Sequence, residues 1–287
     1  MKPIPESDLI LNPDGSIYHL NLLPEDIAGT VITVGDPDRV EEVSKRLDRI
    51  ELKKGKREFI THTGYLGKKR ITILSTGIGT DNIDIVLNEL DALVNIDLNS
   101  RIPKKELKSL NIIRIGTSGT LQEDIPVDSI LVSEFGLGLD ALMNYYMHKV
   151  SGDEHMLLDE IKAHFHHIKG ISPYVTSADD SLLKEIGKDL PRGITVTAPG
   201  FYAPQGREVR AQNAIPNLIQ LLQTFNAGKY RLTNLEMETA GIYALSKALG
   251  HKALSVNAIL ASRARFEFSK NPQKIIEKTI EYVLTRL

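Results

Sequence analysis

The stretch that decides the fold is Val31-Ile32-Thr33-Val34-Gly35-Asp36-Pro37-Asp38-Arg39-Val40. Its β-branched run reads as a buried strand that stops at Gly35 and restarts as a helix. Asp36 suits the cap of that helix and Pro37 its first turn. A strand–glycine–helix junction puts backbone N–H groups and the positive end of a helix dipole at the carboxyl edge of a sheet, where anions bind. Arg39 would add a full charge. Taken alone, an ordinary βα turn with a solvated arginine explains this piece equally well.

Outward from it, short apolar runs alternate with stretches of 3.6-residue periodicity. Further strands are expected at Arg70–Ser75, Ile112–Gly116, Ile130–Phe135, Ile194–Thr197, Leu232–Met237 and Leu254–Leu260. Helices are expected at Asp38–Leu47, Asn82–Val94, Glu154–His166, Glu238–Leu249 and Pro272–Leu287. Such alternation predicts an α/β fold with a mixed, mostly parallel central sheet flanked by helices. No Ser/Gly/Pro-rich linker or internal repeat interrupts it, so residues 1–287 read as one domain. Segments near 95–108, with its basic Arg101–Lys108, and 137–193 read as surface insertions.

Composition excludes several classes of function. Thirty-five Lys+Arg against 37 Asp+Glu leave a formal charge of −2, without the basic field that non-specific nucleic-acid binding needs. Hydrophobic residues at 41% and charged residues at 25% suit a globular core rather than disorder. With no cysteine there is no disulfide, thiolate nucleophile or zinc ribbon. No apolar run reaches the length of a membrane span, and the first residues lack a signal-peptide core, so a cytoplasmic protein is expected.

Three further segments carry chemistry. Asn111–Thr120, NIIRIGTSGT, embeds Arg114 in an apolar strand and follows it with Gly116, Thr117, Ser118 and Gly119. A buried arginine needs an anionic partner, either a structural carboxylate or a bound phosphate. Ser75–Thr80, STGIGT, ends another strand in small and hydroxyl residues. Asn234-Leu235-Glu236-Met237-Glu238 places two carboxylates two apart where a strand gives way to a helix. They suit capture of sugar hydroxyls, or serve as first-turn glutamates favoured by the helix dipole.

Other patterns are decoys. Gly136–Ala141, GLGLDA, matches a dinucleotide fingerprint but lacks the acidic strand end that should follow, which leaves a dinucleotide-dependent oxidoreductase weakly supported. His164, His166 and His167 have no further ligand at metal spacing and read as a solvated helix face. No G-x-S-x-G, H-E-x-x-H or Walker A sequence occurs.

Taken in order, these segments resemble the nucleoside phosphorylase superfamily, nearest its uridine phosphorylase branch. The match runs from Ile17-Tyr18-His19-Leu20 through VGDPDRV, Arg57-Glu58-Phe59, STGIG, RIGTSGT, Gly200–Arg207 (GFYAPQGR) and NLEMET to Ser262-Arg263. The resemblance implies a phosphate site of Gly35, Arg39, Arg57, Arg114 and Thr117, with Arg57 supplied by a neighbouring subunit. It implies ribose contacts from Met237, Glu238 and a neighbour's His19, with Tyr18 closing that edge. The base would meet Phe201, Gln205, Arg207, Tyr18 and Glu236. Purine-specific relatives place an aspartate after the serine of the late strand; Arg263 stands there. Arginine cannot be a general acid near neutrality but can stabilise charge on a departing pyrimidine.

Phosphorolysis of a pyrimidine nucleoside, uridine plus phosphate giving uracil and ribose 1-phosphate, is therefore expected, with Arg114, Glu238, Arg207 and Arg263 as its catalytic groups. A purine nucleoside phosphorylase or a nucleoside hydrolase is the alternative. No metal or organic cofactor is expected, phosphate being a co-substrate. Asn82 replaces the serine beside Glu58 that binds a monovalent ion in some relatives. The expected partners are nucleoside and phosphate, with no nucleic acid and no membrane. The resemblance also implies a homodimer, or a hexamer built as a trimer of dimers with shared active sites. Arg114→Ala is expected to abolish turnover with the fold intact.

Overall fold

The computed structural model describes residues 2–166, 168 and 170–287. The chain forms two compact units, Met1–Ile113 with Leu249–Lys252, and Arg114–Ala248 with Ala253–Leu287. No single cut in the sequence separates them.

In the first unit, β1 (Thr30–Val34) leads into α1 (Pro37–Ser44), and β2 (Arg49–Lys56), β3 (Phe59–Leu66) and β4 (Lys69–Ser75) follow. The strand order is β1-β4-β3-β2, with β1 parallel to β4 and the other pairs antiparallel. β1 is buried throughout, whereas β2, RIELKKGK, alternates exposed and half-buried residues as an edge strand should. That polarity hid the β2–β3 hairpin from the periodicity reading. Arg57 and Glu58 form its two-residue turn, and Arg57 takes φ 56°, which is uncommon outside glycine. α2 (Thr80–Asn95) buries Ile83, Val86, Leu87, Leu90 and Leu93 on one face. Residues 96–103 form the small hairpin β5 (Ile96–Asp97) and β6 (Ile102–Pro103), and its Arg101 bonds Ile4 and Leu9 of the N-terminal segment.

The second unit takes most of β7 (Asn111–Thr120), then β8 (Ile130–Gly138), α3 (Gly152–His164), β9 (Tyr174–Ser177) and α4 (Asp180–Glu185). β10 (Arg192–Thr197), α5 (Leu218–Thr224), β11 (Asn226–Ala227), β12 (Tyr230–Glu236) and α6 (Thr239–Leu249) come next, then β13 (Lys252–Ser262), β14 (Glu267–Phe268) and α7 (Pro272–Leu284). β8, β10 and β12 run parallel at the centre, and antiparallel partners β9, β11, β13 and β14 complete a mixed sheet. All seven expected strands and five expected helices exist, with ends shifted by a few residues.

Residues 137–193 are not a surface insertion. β9 pairs with β8, and Leu157, Ile161 and Phe165 of α3 join Val175, Ile194 and Val196 in the core. The apolar spacing that marks Glu154–His166 as a helix is the face that α3 buries here. The glycines of the false dinucleotide fingerprint lie inside β8, not in a strand-to-helix turn. A Cβ at Gly136 would sit 2.8 Å from Ala240 Cα, so this glycine serves close packing of β8 against α6. His164 is no solvated residue either: it packs edge-on against Phe225 and bonds the Leu221 carbonyl. His167 lies outside the described residues.

One buried carboxylate ties three elements of this unit together. Glu154 reciprocates a capping box with Ser151 at the start of α3, accepts from the Ser177 amide and hydroxyl on β9, and pairs with Lys247 of α6 at 2.8 Å. Burial pushes its pKa up, but these donors outweigh it and hold it at about 2, below the ordinary 4.5. A depressed carboxylate contributes stability above the unfolded-state value and loses it as pH falls through the folded one. Glu154→Gln should therefore flatten the decline in unfolding free energy between pH 4.5 and pH 2, a window worth up to about 3 kcal/mol. Urea titrations at several pH values check this, and identical pH slopes in the two proteins would contradict it.

Candidate active site

Two groups of expected site residues belong to the first unit. Gly35 and Arg39 stand at the β1–α1 junction, where Asp36 caps the helix by accepting from Asp38 N at 3.0 Å. A Cβ at Gly35 would meet only Gly77 O, at an ordinary 3.5 Å. Internal packing thus does not demand glycine here. The second group is Tyr18, His19 and Arg57. The Tyr18 and His19 rings meet edge-on at 4.8 Å, and the Arg57 guanidinium lies 6.0 Å from the Tyr18 ring centre. Glu89 of α2, not singled out in the sequence, sets His19: it accepts the His19 and Leu20 amides and lies 2.6 Å from His19 Nδ1.

In the second unit, Arg114 is 5% exposed and its surroundings answer the question its burial posed. Nη2 lies 2.7 Å from Glu238 and 3.0 Å from Glu236. Nη1 donates to Asn257 Oδ1 at 3.0 Å, with Ser255 Oγ farther away at 3.4 Å. Burial opposes the charge, but the two carboxylates overcome that and raise the guanidinium pKa above its ordinary value. Gly116 exists for this side chain: a Cβ there would overlap Nη1 and Cζ of Arg114.

Glu236, expected beside the base, is instead committed to the protein. Its oxygens accept from Thr197 Oγ1, from the Glu238 and Thr239 amides at the start of α6, and from Arg114. Every acceptor position is used internally, so it caps α6 and anchors Arg114 rather than reading a base. Glu238 is also buried, and Met237 and Thr117 are half-buried. One carboxylate of the pair thus orients the arginine and the helix start, and Glu238 remains the candidate for sugar hydroxyls.

Phe201, Gln205 and Arg207 lie together, and Arg263 reaches the neighbouring Gly206. The Arg207 guanidinium covers one face of the Phe201 ring at 3.9 Å and donates to Phe201 O and Gln205 Oε1, both at 2.7 Å. Because guanidinium only donates, this contact fixes which way the Gln205 amide points. Arg263 donates to Gly206 O at 3.2 Å and lines, with Gly206, Ile219 and Phe266, a cavity of about 650 Å³. Burial lowers both arginine pKa values, and Arg263 adds to the effect on Arg207. Among the described residues neither arginine has a carboxylate partner. Phe201 stays 52% exposed, leaving ring surface for a planar ligand. No group of three or more His, Asp or Glu side chains among the described residues is arranged to hold a metal.

The second unit thus combines a mixed sheet, a buried Arg–Glu cluster and an arginine stacked on an exposed aromatic ring. The chain belongs to the phosphorylase superfamily, whose family model matches residues 30–287. It is 28% identical over 268 residues, 91% of this chain and 83% of the relative, to a uridine phosphorylase of Thermococcus kodakarensis. A purine nucleoside phosphorylase of the DeoD type from Shewanella denitrificans is 26% identical over 83% of each chain. Among solved structures, a Trypanosoma brucei nucleoside phosphorylase described as showing uridine phosphorylase activity superposes with a TM-score of 0.88 at 28% identity, covering 98% of this chain and 99% of that one.

Proposed function

We propose that this protein catalyses phosphorolysis of uridine. A phosphate oxygen attacks the anomeric carbon with inversion, the C1′–O bond forms as the C1′–N1 bond breaks, and the electron pair leaves on uracil, which then takes a proton. Glu238 and Met237 orient the ribose, and Phe201, Gln205, Arg207 and Arg263 receive the base. Gly35, Arg39, Arg57, Arg114 and Thr117 take the phosphate roles that the resemblance implies, and no organic cofactor or metal takes part.

The observation that carries the pyrimidine reading is the pair of half-buried guanidinium groups, Arg207 over the Phe201 ring and Arg263 on the Gly206 carbonyl, neither with a carboxylate partner among the described residues. Such a pocket stabilises negative charge on a leaving base and offers no acid to protonate a purine nitrogen. We also propose a cytoplasmic homo-oligomer, dimer or trimer of dimers, in which His19 and Arg57 serve a neighbouring copy. No helix among the described residues is long and apolar enough to cross a membrane.

Incubation with uridine, with and without phosphate, should release uracil and ribose 1-phosphate only when phosphate is present. Release without phosphate, or turnover of inosine and not uridine, would sink the proposal. Arg207→Ala should lower kcat/KM for uridine by about a hundredfold, since it removes one donor facing the charge that develops in the transition state. Steady-state kinetics with uridine as the varied substrate measure it, and a loss confined to KM would assign Arg207 to ground-state binding alone.

A further inference from the structure

Asn257 sits in the middle of β13 between Val256 and Ala258, fully buried, and no part of the activity proposed above has used it. Its Oδ1 accepts from Arg114 Nη1 at 3.0 Å, and its Nδ2 donates to Ser133 Oγ on β8 at 3.0 Å. Ser133 Oγ meets Thr195 Oγ1 on β10 at 2.5 Å, Thr195 Oγ1 donates to Asn234 Oδ1 on β12 at 2.8 Å, and Asn234 Nδ2 donates to Ser118 Oγ at 2.9 Å. Guanidinium has no acceptor, so the Asn257 amide has one orientation. Because Thr195 spends its proton on Asn234, Ser133 must donate to Thr195. Every bond then points the same way, from Arg114 to Ser118, and the chain begins and ends on β7.

We propose that Asn257 is a positioning residue for the reaction, acting through Arg114. The carboxylates hold one nitrogen of the guanidinium; a contact at Nη1 is what stops the plane from rotating about that anchor. The bonds behind Asn257 keep its amide from moving, because each link polarises the next in a dry interior. The inference rests on the reading of Arg114 and Glu238 as site groups.

The test compares wild type, Asn257→Ala and Asn257→Asp by uridine phosphorolysis, circular dichroism and thermal unfolding. Asn257→Ala, folded as judged by its spectrum, should lower kcat by about ten- to a hundredfold, the range expected when a catalytic group is misplaced by around an ångström. Asn257→Asp keeps an acceptor oxygen for Arg114 and should recover most of that loss. Folded Asn257→Ala with wild-type kcat overturns the inference, as does Asn257→Asp no better than the alanine variant. Should the alanine variant not fold, Ser133→Ala decides: it loosens the amide without touching Arg114, so a several-fold fall in kcat supports the role and unchanged kcat overturns it. A wild-type protein that releases no uracil overturns the proposed activity and this inference with it, a result distinct from any difference between variants.

Discussion

Arg114→Ala should severely impair phosphorolysis and also weaken the fold. Sequence reasoning led to an expectation of lost activity in an intact protein, because phosphate was the anion in view. The structure places two protein carboxylates on the same guanidinium, so the buried cluster changes from one positive against two negative charges to two negative charges alone. Breaking a buried ion pair by removing one partner costs about 3–5 kcal/mol, since the charges left behind have no solvent. Loss of the charge from the site should lower kcat by about a hundred- to a thousandfold, the effect of deleting one preorganised donor. Denaturant unfolding and steady-state kinetics on the same preparation test both halves. A variant as stable as wild type would show that Glu236 and Glu238 do not depend on Arg114.

Gly116→Ala is expected to impair activity about a hundredfold although it adds one methyl group to a strand that alanine ordinarily tolerates. The methyl would occupy the place of Arg114 Nη1 and Cζ, and the crowding involves the guanidinium itself, not a loose side-chain end. The arginine must swing away, losing Asn257 on one side or Glu238 on the other. Overpacking of this kind costs about 1–3 kcal/mol, so the protein should still fold. The readout is a variant that still unfolds cooperatively, at a melting temperature lowered by several degrees, with severely reduced kcat. Near-native kcat would mean that the guanidinium can relocate without consequence, and Arg114 would then lose its place in the mechanism.

These two outcomes mark where sequence reasoning reached and where it stopped. The strand–glycine–helix junction at Gly35 was legible because local rules govern it: β-branched burial, a capping aspartate and a proline in the first turn. Arg114 was conspicuous because a charge in an apolar strand violates the local pattern. Asn257 and Asn234 break their strands in the same way, and the signal was there to be weighed. β2 and β3 stayed hidden because an edge hairpin need not be apolar, and the segment 137–193 read as a surface insertion because its one strand, β9, is only four residues long.

Local pattern by itself determined the α/β alternation, the helix starts and the list of residues with chemistry to offer, because each depends on neighbours within a few positions. Only the tertiary structure decided which of two glutamates caps α6, why position 116 must be glycine, and that Arg207 lies over Phe201. Those answers depend on atoms brought together from up to 143 residues apart, as Arg114 and Asn257 are, and no short-range rule of spacing contains them.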